Sequence, residues 1–469
     1  MCTCVMVVAG FPKFHDFERT ICKMNDQILY PGNVEELSDL VKSSLASNTP
    51  LLVKGMGSKE GWGQPDGSGD MVSVSNISGV TMYEPEELVM TAAAGTSIEY
   101  IKKLLEGKNQ QLAFEPPDIN RLYGKSMGMG TLGGVLACNL SGPRRIQAGA
   151  ARDHFLGFEA VSGRGEIFKS GGRVVKNVTG FDLSKLLAGS FGTLAIMTSI
   201  SIKVLPKPEK TRSILVFGLN VEDAITVMNT ALSSPNEVNA VAHLPENLSE
   251  KSKVDYVHDA SEAVTVIRVQ GPAPSVEARS IALRNLLSRF GDMEELHSHN
   301  SNMLWTEIAE VVDLINDPTK LLWRLSVPPK EGANIANSIR EFSDADIYFD
   351  WGGGLIWVGL SPVTGALSEE IRSLISDIGG HATLMRAPND IRSITQMDSF
   401  LIVAIVRAGQ LVIPKDQDII QAGDRFYTLV DKEFLPFLLP MLNRILENVE
   451  KIVIYGATST SIHLAKALE

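Results

Sequence analysis

The chain is 469 residues long, 44% hydrophobic and 21% charged, which is material for two or three soluble domains with well-filled cores. Its net charge of −12 excludes a nucleic-acid partner held through phosphates, because such contacts need a basic surface. The longest apolar runs, 401–406 and 434–442, fall far short of the ~18 residues of a membrane helix, and the apolar run 5–10 lacks the length and basic flank of a secretion signal; the expectation is a cytoplasmic protein, at most peripheral at the inner face of a membrane.

Residues 1–26 show no period and read as a leader. A turn at Pro31-Gly32-Asn33 precedes a helix over 34–46, which Asn33 caps and whose first turn carries Glu35 and Glu36. Strands follow over 51–54, 71–74 and 89–93, then a helix over 97–106, an α+β alternation. Further on come a helix over 135–139, a helix over 183–188 and an alternating strand over 196–204. After Pro206 and Pro208 the pattern is strand 212–219, helix 222–233, strand 263–270, helix 276–289, strand 321–327, helix 335–342, strand 347–360 and helix 369–378. These rounds of β-α-β predict a sheet with helices on one face. His297 and His299 read as a solvated polar loop. From 399 a third regime begins: a hairpin around Ala408-Gly409, a strand pair over 419–430 around Gly423-Asp424, a helix over 434–446, a strand over 451–455 and a helix over 461–469. The absence of any 20–50-residue period excludes a repeat architecture.

The four cysteines, at 2, 4, 22 and 138, lack metal-ligand spacing and suit free thiols in a reducing compartment; Cys2 and Cys4 are either an unstructured pair or a metal pair. No metal is expected.

Three glycine-rich elements carry the candidate site. The first, Gly55-Met56-Gly57-Ser58-Lys59, follows a strand; its glycines permit φ > 0 and bring N–H groups near an anion, while Ser58 adds a hydroxyl, and a plain loop is the competing reading. The second, Gly128-Met129-Gly130-Thr131-Leu132-Gly133-Gly134, holds too many glycines for an ordinary helix or strand, each costing ~1 kcal/mol there, and reads as a backbone cradle. Ser141-Gly142 and Arg152-Asp153-His154 follow it. Arg152 and Asp153 are either ligand contacts or a structural ion pair, and His154 reads as a loop or core residue. The third is the stretch 171–207, glycine-rich, then helical, then turning through Gly192-Thr193 into a strand. Lys176 and Asp182 are its polar groups, with a helix-cap role equally open for Asp182. None of this is catalytic by residue type. It is backbone suited to a large, planar, phosphate-bearing ligand.

In this order over 27–207, the elements resemble the FAD-binding domain of the glycolate oxidase E subunit, in the PCMH-type (vanillyl-alcohol-oxidase-like) flavoprotein superfamily. The resemblance implies an α+β fold: a two-subdomain FAD-binding domain at 27–207, an α+β cap domain at 208–395, and FAD as cofactor. It assigns Gly55, Gly57, Ser58 and Lys59 to the diphosphate. Thr131, Gly133, Gly134, Ser141 and Gly142 fall to the diphosphate and ribityl region, and Arg152 and Asp153 to its neighbourhood. Gly192, Thr193 and Ile196 fall to the adenine or isoalloxazine edge. Where some relatives carry a flavin-linking His, this chain has Ser58, which implies a non-covalent flavin.

The resemblance continues more weakly through Asp350-Trp351-Gly352-Gly353-Gly354 and Gly379-Gly380-His381. The His-rich strand of the active D-type relatives is missing, and His381 is the one weak candidate for a catalytic role. An FAD-carrying subunit that passes electrons within a complex is therefore expected, with a D-type flavoprotein and an iron–sulfur subunit as partners and 2-hydroxy-acid oxidation as the chemistry. The tail, 396–450, resembles the RCK C-terminal (TrkA-C) domain of a Trk-system potassium uptake protein, and 451–469 the truncated start of its nucleotide-binding unit. Two alternatives follow: a regulator of cation transport that senses flavin, and a flavin fold without its cofactor. The tail is expected to be dispensable for flavin binding.

Overall fold

The computed structural model describes residues 28–63, 69–173, 182–362, 366–376 and 378–395, together with the backbone of three strands beyond them. The first helix, α1 (Val34–Ser47), starts where expected: Asn33 Oδ1 accepts from the Glu36 N–H at 2.9 Å, and the Glu36 carboxylate accepts from the Gly32 N–H at 2.7 Å. This reciprocal cap satisfies two end donors. Leu37 and Val41 on its inner face are buried against Leu51, Val72, Val161 and Ile196. Leu51 and Val72 belong to β1 (Leu51–Lys54) and β2 (Asp70–Ser73), which pair in parallel.

Next to this small layer lies an antiparallel five-stranded sheet of β3 (Val80–Glu84), β4 (Val89–Ala93), β5 (Phe155–Ser162), β6 (Ile167–Gly171) and β7 (Ala195–Lys203), in the order β3-β4-β7-β5-β6. The connections between β4 and β7 carry α2 (Ile98–Glu106), α3 (Leu132–Ala137), α4 (Arg145–Ala148) and α5 (Leu183–Leu187).

The second unit is an eight-stranded sheet made of two like halves. Its elements are β8 (Lys210–Phe217), α6 (Val221–Leu232), β9 (Ala240–Leu244), β10 (Val264–Gly271), α7 (Ala273–Leu287) and β11 (Met293–Leu296), then α8 (Ser298–Ala309), then β12 (Leu321–Ser326), α9 (Gly332–Phe342), β13 (Asp346–Asp350), β14 (Leu355–Leu360), α10 (Ser368–Ser376) and β15 (His381–Arg386). The strand order is β11-β8-β10-β9-β13-β14-β12-β15, every pair antiparallel. Each half is a β-α-β-β-α-β split unit. The halves join edge to edge where Ala242 pairs Asp350 and His243 pairs Phe349, which removes two exposed sheet edges.

Strand alternation sorts the apolar residues. Ile214, Val216, Ile267, Trp323 and Phe349 pack beneath α6, α7, α9 and α10. Leu215, Ala242, Val266, Leu322 and Tyr348 point the other way and share one core with Phe114, Leu132 and Phe155 of the first unit. At roughly 1.5–3 kcal/mol per buried large side chain, this shared core holds the two units together.

Several expectations change. The segment 347–360 is a hairpin, not one strand: Trp351, Gly352 and Gly353 adopt φ of 53°, 69° and 97°, and left-handed backbone cannot continue a ladder. His297 and His299 lie at the start of α8, not in a loop, and both are exposed. In the tail, the strands Phe400–Arg407 and Gln410–Val412 form the expected hairpin, and Arg425–Val430 pairs with the first of them. The remaining expectations for 413–424 and 431–469, like those for 1–27, fall outside the described residues. No helix among the described residues is long and apolar enough to cross a membrane.

Candidate functional site

Where β1 ends, the chain opens into the loop 55–60 and lines a cleft. Met71, Thr131, Gly134, Ala137, Cys138 and Phe191 complete its walls, and it encloses about 660 Å³ including its mouth. Gly57 sits at φ 80°, which favours glycine. The amide N–H groups of Met56, Gly57 and Ser58 have no acceptor among the described residues. Successive unengaged N–H groups at a cleft wall make an anion-binding concavity. Ser58 is buried, and its Oγ accepts from Lys59 Nζ at 3.0 Å.

The second element meets the first through glycine alone. Thr131 caps α3: its Oγ1 accepts from the Gly134 N–H at 3.2 Å. A Cβ on Gly55 would lie 2.4 Å from that Oγ1, and a Cβ on Gly134 would lie 3.1 Å from Lys59 Nζ. The third element closes the end of α3. The Gly189 and Phe191 N–H groups donate to Leu136 O at 3.1 Å and Ala137 O at 2.8 Å, so helix-end carbonyls are satisfied by a turn with φ of 84°, 54° and 79° at Gly189, Phe191 and Gly192. The Phe191 ring stands edge-on to Trp62, centroids 5.5 Å apart.

Two lysines hold the loop from outside. Lys54 and Lys125 both pair with Glu60, and Lys125 Nζ also donates to Gly57 O at 3.0 Å. Burial pushes the Glu60 carboxyl up, and the two ammonium groups more than offset it, leaving it below the usual carboxylate range. The carboxylate is thus neutralised beside a cleft meant for an anion. From the second unit, Arg392 on α11 (Asn389–Ile394) donates to Gly63 O at 2.8 Å and Glu60 O at 3.2 Å. Tyr123 O–H donates to Met385 O at 2.8 Å, so β15 is tied to the first unit as well.

Of the residues singled out from sequence, Gly55, Gly57, Ser58, Lys59, Thr131 and Gly134 line this one cleft. Gly133 packs behind it, where a Cβ would lie 2.9 Å from the Ala94 Cβ. Ser141 Oγ accepts from the Ala151 N–H at 2.9 Å, and Gly142 O accepts from Trp351 Nε1 at 3.2 Å. Arg152 N–H donates to Asn139 Oδ1 at 3.0 Å, and Asp153 accepts from the Ala150 N–H at 2.8 Å in place of an Arg152 pair. Thr193 Oγ1 donates to Ser190 O at 2.6 Å. The Ile196 side chain lies in the core beside Leu37 and Val41, so it offers no apolar edge to a ligand. Asp182 caps α5, accepting from the Lys185 N–H at 3.3 Å. Lys176 is outside the described residues. His154 is a core residue whose Nε2 lies 2.9 Å from Ala148 O. His381 is exposed on the edge strand β15, and no His lines the cleft among the described residues. Phe191, Cys138, Glu60 and Arg392 were not singled out. For Phe191 the signal was its place between Gly189 and Gly192, which forces it into the turn; for the others no local pattern exists.

Comparison with known proteins agrees with this geometry. A family model described as FAD binding domain matches residues 26–171. Glycolate oxidase subunit GlcE of Escherichia coli (strain K12) is 31% identical over 353 residues, covering 75% of this chain and 87% of that protein. Glycolate oxidase subunit GlcD of Bacillus subtilis (strain 168) is 26% identical, covering 68% of each. Among solved structures, p-cresol methylhydroxylase matches with a TM-score of 0.58 at 13% identity, covering 77% of this chain and 81% of that one. An alkyldihydroxyacetonephosphate synthase matches at 0.56 and 16%, covering 75% and 71%. The fold is the PCMH-type FAD-binding fold with an α+β second unit. These findings give no support to the potassium-uptake likeness of the tail.

Proposed function

Because the chain belongs to the family of glycolate oxidase subunit GlcE and is an FAD-binding oxidoreductase, we propose that it is the FAD-carrying subunit of a glycolate-oxidase-like complex, handling electrons from the oxidation of a small 2-hydroxy acid. The observation that carries this reading is the cleft itself. Among the described residues, three backbone N–H groups without an acceptor and the Lys59 side chain line it, and Glu60, the one carboxylate there, is paired with lysines. That donor set suits a diphosphate. FAD bound there supplies a two-electron acceptor that passes electrons onward.

In this reading the Met56, Gly57 and Ser58 amides hold the diphosphate with Lys59 and Gly134. Gly55 and Thr131 keep loop and helix in register. Ser141 and Gly142, with Arg152 and Asp153 beside them, bound the ribityl side, and Gly192 and Thr193 the adenine side. Ser58 stands where a linking His would be needed, so the flavin is held without a covalent bond. Among the described residues no imidazole lines the cleft to take a substrate proton. A D-type flavoprotein therefore supplies that base, and an iron–sulfur subunit receives the electrons. Dye reduction by glycolate tests this: little turnover is expected from the FAD-loaded chain alone and clear turnover with the D-type partner. Robust turnover by the chain alone would refute it.

A further inference from the structure

The sheet face turned toward the first unit carries ionisable residues among its apolar ones. Arg268 on β10, Arg324 on β12 and Asp350 at the end of β13 share the alternation of Val266, Leu322 and Tyr348, which pack in the common core. The first unit answers with Glu115, Arg144 and Arg145. Arg268 Nη2 pairs with Glu115 at 2.9 Å, and the Arg145 guanidinium lies 4.8 Å from the centre of the Trp351 ring. Glu115 itself has φ 46°, and its backbone O would be 2.3 Å from a Cβ on Gly142, so two segments of the first unit are packed closely where Trp351 Nε1 of the second donates to Gly142 O.

Four guanidinium groups thus meet two carboxylates. Arg268 is fully engaged: Nε donates to Asn239 Oδ1 at 2.7 Å, Nη2 to Glu115, and the group stacks 4.8 Å over Trp305. Glu115 is also taken by the Arg144 backbone N–H at 3.1 Å. Asp350 accepts from the Trp351 N–H at 2.7 Å, and burial pushes its carboxyl up to about 7, against that bond and the Arg268 charge, so it supplies less than a full negative charge at neutral pH. The Arg324 side chain makes no hydrogen bond among the described residues; it has the Trp351 ring, 5.1 Å away, and the Asp350 carboxyl near enough to act on its charge. Arg144 Nη1 is buried without a partner among the described residues. Enclosed guanidinium donors without acceptors are costly and call for an explanation. Arg324 is only partly buried, so it can be reached.

We propose that Arg324, supported by Arg145 over the Trp351 indole and by Arg144 Nη1, holds the carboxylate of a small 2-hydroxy acid, which gives this chain a substrate-anion site of its own on the inner face of the second unit. This rests on the reading of the chain as a glycolate-oxidase-type subunit. A planar guanidinium with free donors matches a carboxylate in two-point contact.

The test uses the FAD-loaded full chain, titrated with glycolate and with oxalate by calorimetry. Wild type is expected to bind saturably and to gain thermal stability with ligand. Arg324→Met should weaken binding at least tenfold and abolish the ligand-induced rise in Tm, while keeping full FAD content. Its ligand-free Tm should be unchanged or raised, because an uncompensated charge has been removed. Arg324→Lys should fall between. Equal glycolate affinity in wild type and Arg324→Met, or no saturable binding by wild type, overturns the site and leaves the FAD reading standing. Loss of FAD from Arg324→Met also overturns it, since Arg324 would then serve the flavin phosphates. Failure of wild type to take up FAD at all refutes the underlying reading instead.

Discussion

Replacing Gly55 with alanine should break the cleft through one contact, and a second substitution should mend it. The new Cβ would lie 2.4 Å from Thr131 Oγ1, 2.9 Å from its Cγ2 and 3.2 Å from its Cβ. Thr131 is β-branched and stiff at χ1, so yielding means turning its hydroxyl away from the Gly134 N–H. Losing that cap costs about 1 kcal/mol, and the residual overlap adds on the order of another 1 kcal/mol. Gly55→Ala should therefore cost about 2 kcal/mol and weaken FAD binding about tenfold or more. Thr131→Ala alone should cost about 1 kcal/mol. In the double variant Oγ1 and Cγ2 are gone and only the 3.2 Å contact remains, so the total should stay near that of Thr131→Ala, a coupling of about 1–2 kcal/mol. Urea unfolding of the four proteins, with flavin fluorescence titrations, measures both quantities. Additive losses would show that Gly55 and Thr131 do not meet as described.

Three further outcomes are expected. Acid precipitation of the purified protein should leave the yellow flavin in the supernatant, since Ser58 offers no linking imidazole; flavin retained in the pellet would contradict this. A chain ending at Pro388 lacks Arg392 and its bonds to Gly63 and Glu60, so it should bind FAD at least about tenfold more weakly than one ending at Thr395, or about 1.4 kcal/mol, whereas removal of residues 399–469 should leave affinity unchanged; equal affinities for the two shorter chains would refute the tether. Asp313 is buried, its Oδ1 has no partner among the described residues, and burial, then the Glu307 charge, raises its carboxyl to about 7, above its unfolded value near 4. The native state then holds a proton that the unfolded chain has lost, so stability falls as pH rises from about 4 through 7. Asp313→Asn should flatten that slope and raise Tm at pH 8, and an unchanged slope in melts from pH 4 to 8 would count against it.

Local signals in the sequence determined the elements and the backbone of the cleft. Asn33 announces a helix start because a capping side chain reaches only two or three residues ahead; Thr131 reads as part of a cradle in sequence and turns out to cap α3, which holds Gly133 and Gly134. The glycines at 55, 57 and 134 stand out because no other residue allows so close an approach of backbone to its neighbours. The strands near 212–219, 263–270 and 321–327 were legible for the same reason, since period and burial are properties of a short window, while Ala240–Leu244, Met293–Leu296 and His381–Arg386 were not read. What lay beyond that window was decided only by tertiary structure. Two β-α-β-β-α-β halves joined along β9 and β13 leave no trace in local pattern. Ile196 looks like a ligand edge in sequence and is core, because α1 closes over it. Arg392 reaches the loop from 332 residues away, and Arg268 reaches Glu115 from 153, so neither partner can be inferred from spacing. The sequence contains the arginines of the inner sheet face without distinguishing them from surface charges. Only folding places the Arg324 guanidinium beneath the first unit with no acceptor among the described residues, because a guanidinium's cost depends on what surrounds it and not on what precedes it in the chain.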